Sequence, residues 1–327
     1  MRRIKSLYIF CLIMCIFTFA GCTNKSASKK PIKISLNVWP GYAIAYLAQE
    51  KGIFKKNNVA VELVLKESTA ESLALFTDGD ADGCLDIFMD AIMINAKGIP
   101  AIIVSLIDYS TSGDVIIGRP EIQSLSELKG KTVSFEGVNT FSHIFVVNAL
   151  EKAGVEEDDL KFENINAHDV LSALDEKRID AGHTWEPTKS RALKKGYKIL
   201  AKAGDYPGMI TDVLLFTPTM IKERPEDIQA IIKSLFEAQD YLNSHKEESI
   251  LIMADKMKMS KEEMIAGLEG LYQLDLKENM TLLTTKITTL DAAGKLIMEF
   301  YLNHGQLSKI IDIKNIVERK FIVELSK

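Results

Sequence analysis

Cysteine is scarce in this chain, with four residues in 327: Cys11, Cys15, Cys22 and Cys84. If the first two leave with a cleaved segment and the third is modified, no internal disulfide remains, so stability has to come from an apolar core. Histidine is also sparse, and His143, His168, His183, His245 and His304 form no local pair at metal-ligand spacing. That argues against a metal centre. No stretch of the form G-x-x-x-x-G-K-[ST], G-x-S-x-G or H-E-x-x-H occurs, so the chain lacks a phosphate cradle, a nucleophile elbow and a zinc-protease helix. No cofactor is expected. Positive charge is not in excess either, since 40 Lys and Arg stand against 45 Asp and Glu. A nucleic acid or an anionic membrane surface as partner would need a basic patch. The one long apolar run, Leu7 to Ala20, is about 14 residues, short of the roughly 20 that span a bilayer.

That run has the length of a secretory signal and follows Arg2, Arg3 and Lys5. It ends in Phe19-Ala20-Gly21-Cys22. Small residues directly before a cysteine resemble the lipobox of bacterial lipoproteins, which implies cleavage ahead of Cys22 and its acylation. On this reading residues 1–21 are a signal peptide and 22–31 a lipidated tether, rich in Ser, Lys and Asn. Losing the three basic residues takes the formal net charge from −5 to about −8. The protein is expected to be exported, held to the membrane by the lipid on Cys22, and monomeric.

About 300 remaining residues, with 47% hydrophobic composition overall, suffice for two lobes. From Ile32 short β-rich runs alternate with helical patterns: a strand at Ile34 to Val38, a helix at Ala43 to Lys51, a strand at Val59 to Leu65 and a helix at Thr69 to Thr77. Strands separated by helices predict parallel α/β sheets. A second series starts after Arg119-Pro120 with a strand at Thr132 to Phe135 and a helix at Phe141 to Ala153. Ala74-Leu75 and Gly83 of the first series recur as Ala173-Leu174 and Gly182 in the second, a faint internal echo. Beyond Pro225 the pattern is mostly helical. The expected organisation is a first lobe from residues 32–110 and 217–327, a second from 119–207, and crossovers at 111–118 and 208–216. Two crossovers make a hinge with a cleft between the lobes.

Trp39-Pro40-Gly41-Tyr42, Tyr46-Leu47-Ala48, Lys51-Gly52-Ile53-Phe54, Leu128-Lys129-Gly130-Lys131-Thr132-Val133, Trp185-Glu186-Pro187 and Pro225-Glu226 resemble, in order, the solute-binding proteins of the nitrate, sulfonate, taurine and thiamine-pyrimidine group of ABC importers. The resemblance implies a two-lobed type II periplasmic-binding fold that closes on a ligand and docks on a permease served by an ATPase. Two alternatives share that fold: a sensor signalling to a membrane receptor, and an enzyme of pyrimidine-synthesis type. No further membrane or signalling segment precedes Lys327, and the expectation is a binding protein, not an enzyme.

In open α/β sheets ligands sit beyond the carboxyl ends of the strands. The loops after the expected strands therefore supply the candidates. Trp39, Gly41 and Tyr42 offer flat faces and close backbone approach, and Trp185, the only other tryptophan, offers a facing wall. Ser68 and Thr69 open a helix with Glu71 behind them, a capping arrangement compatible with ligand contact. Asn139, Thr140 and Ser142 follow the strand ending at Phe135 and resemble the second lobe's contribution. His183 could act as a polar wall. Asp86, Asp114, Glu136, Glu186 and Asp212 all fall near the expected cleft, and crowded carboxylates favour a cation or an N–H-rich ring over an anion.

Overall fold

The computed structural model describes residues 30–138, 140–206, 209–285, 287–307 and 309–327. Cys22 with the signal segment, and Asn139, lie outside the described residues.

Two sheets organise the chain from Pro31 onward. The first is built from β1 (Ile32–Asn37), β2 (Val61–Lys66), β3 (Gly83–Ile87), β4 (Ile102–Ser110), β10 (Thr211–Phe216) and β11 (Leu271–Gln273), in the order β11-β4-β10-β3-β1-β2. The second holds β5 (Val115–Gly118), β6 (Thr132–Phe135), β7 (Lys161–Asn164), β8 (Ala181–Thr184) and β9 (Lys198–Lys202), in the order β7-β6-β8-β5-β9. Central strands are buried on both faces: in β1, Ile32, Ile34 and Leu36 point one way and Ser35 the other, and all four are sealed from solvent.

The sheets are mixed, which corrects the expectation of parallel ones. β1 pairs in parallel with β2 and β3, and β6 with β7 and β8. β10 is antiparallel to β3 and β4, and β5 to β8 and β9. Each of these two strands enters its sheet from the other one, at the end where the parallel strands finish, so it must run back against them. Residues 115–118 and 211–216, read from sequence within the crossovers, are therefore interior strands. Their burial is complete or nearly so.

The crossovers themselves are short and tied together. The N–H groups of Thr111, Ser112 and Gly113 all donate to the Gly270 carbonyl, at 2.9, 2.8 and 2.7 Å. Gly204 N–H donates to Thr111 O at 2.6 Å and Ala203 N–H to Asp114 O at 3.0 Å. A Cβ on Gly270 would lie 2.8 Å from the Gly113 backbone, so this approach requires glycine.

Helices cover the sheets where capping chemistry starts them. The Ser68 hydroxyl accepts from Glu71 N–H at 3.2 Å and opens Thr69–Thr77. A capping box between Ser260 and Glu263 opens Lys261–Glu269. The long helix Pro225–Ser244 packs against Ala43–Glu50, and Ile287–Asn303 against Phe88–Ala96, which returns the C-terminal part to the first sheet. Cys84 is a buried free thiol. Among the described residues, no helix is long and apolar enough to cross a membrane.

Candidate functional site

β1 ends at Asn37 and the chain tightens into a single turn, Pro40–Tyr42, before the helix Ala43–Glu50. Proline fixes the first residue of that turn. Gly41 is required for a different reason: a Cβ there would sit 1.9 Å from Asp108 Oδ2 and 2.8 Å from Trp39 Nε1. Its absence lets Asp108 lie against the turn and accept from the Trp39 indole N–H at 3.3 Å. The Tyr42 hydroxyl donates to Asp212 Oδ1. These groups are buried. Burial, more than any neighbouring charge, pushes the Asp108 carboxyl up to about 7. Burial first and Asp108 second hold Asp212 well above the ordinary range, and burial with the nearby carboxylates does the same to the Tyr42 phenol.

On the facing side, β8 runs into Trp185, whose ring lies 6.0 Å from that of Phe141. His183, in β8, is fully buried. Its Nε2 lies 3.0 Å from Asp114 Oδ1 and its Nδ1 2.7 Å from the Ser142 hydroxyl. Ser142 also accepts from Glu136 N–H at 2.8 Å. A serine, histidine and aspartate in contact suggest nucleophilic catalysis, but the order here is reversed relative to the cleft: Asp114 lines it, and Ser142 is sealed behind His183. The serine does not line the cavity.

The two sides enclose a small cavity. Its walls are Trp39, Tyr42, Ile87, Phe141, Trp185 and Ile210, and its polar lining is Asn37, Asp114 and Asp212. The volume is about 10 Å³, room for about one water. Contacts that hold the lobes shut around it include Trp185 indole N–H to Val38 O at 2.9 Å, Thr69 N–H to Glu136 Oε1 at 3.0 Å, and Arg191 to Glu263 at 2.8 Å. Beyond Trp185 a hollow of about 260 Å³ opens outward, edged by Glu67, His168, Glu186, Arg191 and Lys258. One oxygen of Asp114 is buried with no hydrogen-bond donor, whereas the Asp108 and Asp212 carboxyls are hydrogen-bonded to one another.

Of the residues singled out from sequence, Trp39, Tyr42, Asp114, Trp185 and Asp212 meet at the cavity. Gly41 sits behind Trp39 against Asp108, and His183 behind Asp114. Ser68 is a helix cap, and Thr69 accepts from Asn37 Nδ2 at 2.9 Å. Asp86 lies within the first lobe, accepting from Ile87 N–H at 2.8 Å, with burial and then Asp90 holding its carboxyl well above the usual range. Glu136 bridges Thr69 and Ala167 N–H across the cleft, and burial raises its carboxyl. Thr140 caps the helix Phe141–Lys152. Glu186 turns to Lys189 and Ser190, at 3.1 and 2.9 Å, and faces the outer hollow. Asp108, Asn37, Phe141, Ile87 and Ile210 were not singled out. Among the described residues no group of three His, Cys, Asp or Glu side chains could hold a metal ion.

A family model described as NMT1/THI5-like matches residues 39–249. A Brucella abortus (strain 2308) protein named for a binding role is 24% identical over 312 residues, 88% of this chain and 90% of that protein. Two solved structures share the fold. One is the ligand-binding component of an ABC-type import system from Staphylococcus aureus, with zinc bound: TM-score 0.75, 17% identity, 90% of this chain and 99% of that one. The other is the alkanesulfonate-binding protein SsuA from Xanthomonas axonopodis pv. citri bound to MOPS: TM-score 0.74, 16% identity, 90% and 99%. Enzymes are also among the similar proteins, including the desulfurization enzyme DszB and a pyrimidine phosphate synthase of Candida albicans.

Proposed function

The chain belongs to the NMT1/THI5-like family, and on that premise we propose that it is the solute-binding component of an ABC-type importer. It captures a small cationic or N–H-rich molecule between two lobes and releases it unchanged to a permease. Export and attachment through Cys22 keep it beside that permease. The fold shared with an import-system component supports the transport role. The observation that carries the ligand class is the buried Asp114 oxygen left without a donor in a cavity walled by aromatic rings and lined also by Asp212. No lysine or arginine lines that cavity. A buried unpaired carboxylate is costly, and a cation or ring N–H that meets it recovers part of that cost. The inward-facing acid and the sealed serine favour binding over catalysis.

Calorimetry of the full chain in mild detergent against amines, aminopyrimidines, taurine, alkylsulfonates and nitrate tests this reading. Binding of an amine or aminopyrimidine, weakened at least about tenfold by Asp114→Asn or Asp212→Asn, is expected. Micromolar binding of nitrate or a simple sulfonate, undiminished by those substitutions, overturns the ligand class and leaves the transport role standing.

A further inference from the structure

We propose that Ser142 and His183 are positioning residues that tie the ligand-facing carboxylate of Asp114 to the contact through which Glu136 holds the two lobes together. The inference rests on the reading of Asp114 as a ligand contact. Its geometry is a continuous chain of buried groups. Glu136 N–H donates to Ser142 Oγ at 2.8 Å, Ser142 Oγ lies 2.7 Å from His183 Nδ1, and His183 Nε2 lies 3.0 Å from Asp114 Oδ1. The Glu136 carboxylate meanwhile accepts Thr69 N–H from the first lobe and Ala167 N–H from its own, each at 3.0 Å.

Hydrogen-bond capacity fixes the direction of this chain. A serine hydroxyl has one proton, and the Ser142 oxygen is already an acceptor for Glu136 N–H. Its proton is satisfied only by donating to His183 Nδ1, which leaves the ring proton on Nε2, aimed at Asp114. Every donor then points towards Asp114, so the bond dipoles add at its side chain and fix the oxygen that faces His183. The rings of Phe141, Phe145 and Trp185 close around the imidazole, with centroids 5.2–5.5 Å away, and leave it no alternative partner. Asp114 Oδ2 remains free for the ligand. A load placed on Asp114 therefore reaches the Glu136 backbone through two rigid side chains, and the Glu136 carboxylate makes one of the interlobe contacts.

Two measurements on the full chain need no ligand. Nitrogen-detected NMR of the histidine rings at pH 7 should find His183 in the Nε2-protonated form alone; a mixed or Nδ1-protonated ring overturns the proposal. In Ser142→Ala, amide hydrogen exchange at Thr69 should accelerate about tenfold, the size of one lost hydrogen bond, while Leu85 in β3 is unchanged. Unchanged exchange at Thr69, or an equal rise at Leu85, shows that the serine only packs. A third arm uses benzamidinium and its neutral isostere benzamide as probes: preference for the cation should fall in Ser142→Ala, and an unaltered preference counts against the chain. If neither probe binds the unmodified protein, the ligand class proposed above fails, and the NMR and exchange results still decide the chain.

Discussion

Asp108 offers the sharpest test of how burial governs this site. It is fully buried, accepts from Trp39 and is hydrogen-bonded to the Asp212 carboxyl. Asp108→Asn keeps an acceptor for the indole and puts an N–H donor towards Asp212. Burial lifts the native carboxyl from 3.8 to about 7. The folded state therefore binds more protons than the unfolded one between those pH values, and native stability falls as pH rises through that window. The distance from 3.8 to about 7 corresponds to about 4 kcal/mol at full ionisation. Below pH 4 the carboxyl is protonated in both states, so the substitution should be close to neutral. Its advantage should grow between pH 4 and 7 and level off near 8, with about 4 kcal/mol coming from Asp108 itself. Urea denaturation of both proteins from pH 4 to 8 measures the difference. Asp86 and Asp90 are common to both and largely cancel, whereas Asp212 loses the neighbour that helps to hold its carboxyl up and adds to the difference in the same direction. Parallel stability curves across that range would refute the reasoning.

Trp185→Phe removes the interlobe bond to Val38 and keeps the ring, so the open form should gain up to about tenfold in population. Trp39→Phe breaks a bond within the first lobe and should leave that balance alone; small-angle scattering distinguishes the two, and equal effects contradict the assignment. Gly41→Ala places a Cβ against Asp108 and Trp39 and should cost about 2 kcal/mol, read as a lowered melting temperature. In a bacterial host fed labelled palmitate, Cys22→Ser should abolish labelling of the chain, and equal labelling of both forms rules out acylation at that cysteine.

Local chemistry made much of the fold legible. The strand Thr132–Phe135 and the helices Thr69–Thr77 and Lys246–Lys256 follow from β-branched runs, caps and helical periodicity. Strand direction was not legible, because β5 and β10 run backwards only through the path between lobes. Within the mostly helical stretch beyond Pro225, the helix Lys261–Glu269 is followed by β11, an edge strand that exists only because β4 is beside it. Gly83 and Gly182, the glycines of the internal echo, lie inside β3 and β8 and admit Phe216 and Ser134 at close range. In the site, the aromatic turn at Trp39 and the facing Trp185 stand out by residue type alone. Asp108 does not, since an acid near a strand end usually faces water. Nor does the Tyr42–Asp212 bond, which joins positions 170 residues apart.

The Gly270 carbonyl receives three successive N–H groups from the first crossover, and the second crossover is bonded to the first beside it. Such a junction works as an axle. A carbonyl holding three donors resists sliding, so the lobe carrying β5 to β9 is restricted to swinging about this point. Displacement then scales with the lever arm: backbone around Thr111 and Gly204 barely travels, and interlobe contacts separate in proportion to their distance from it. The axle is then the part that sets where the clamp closes again.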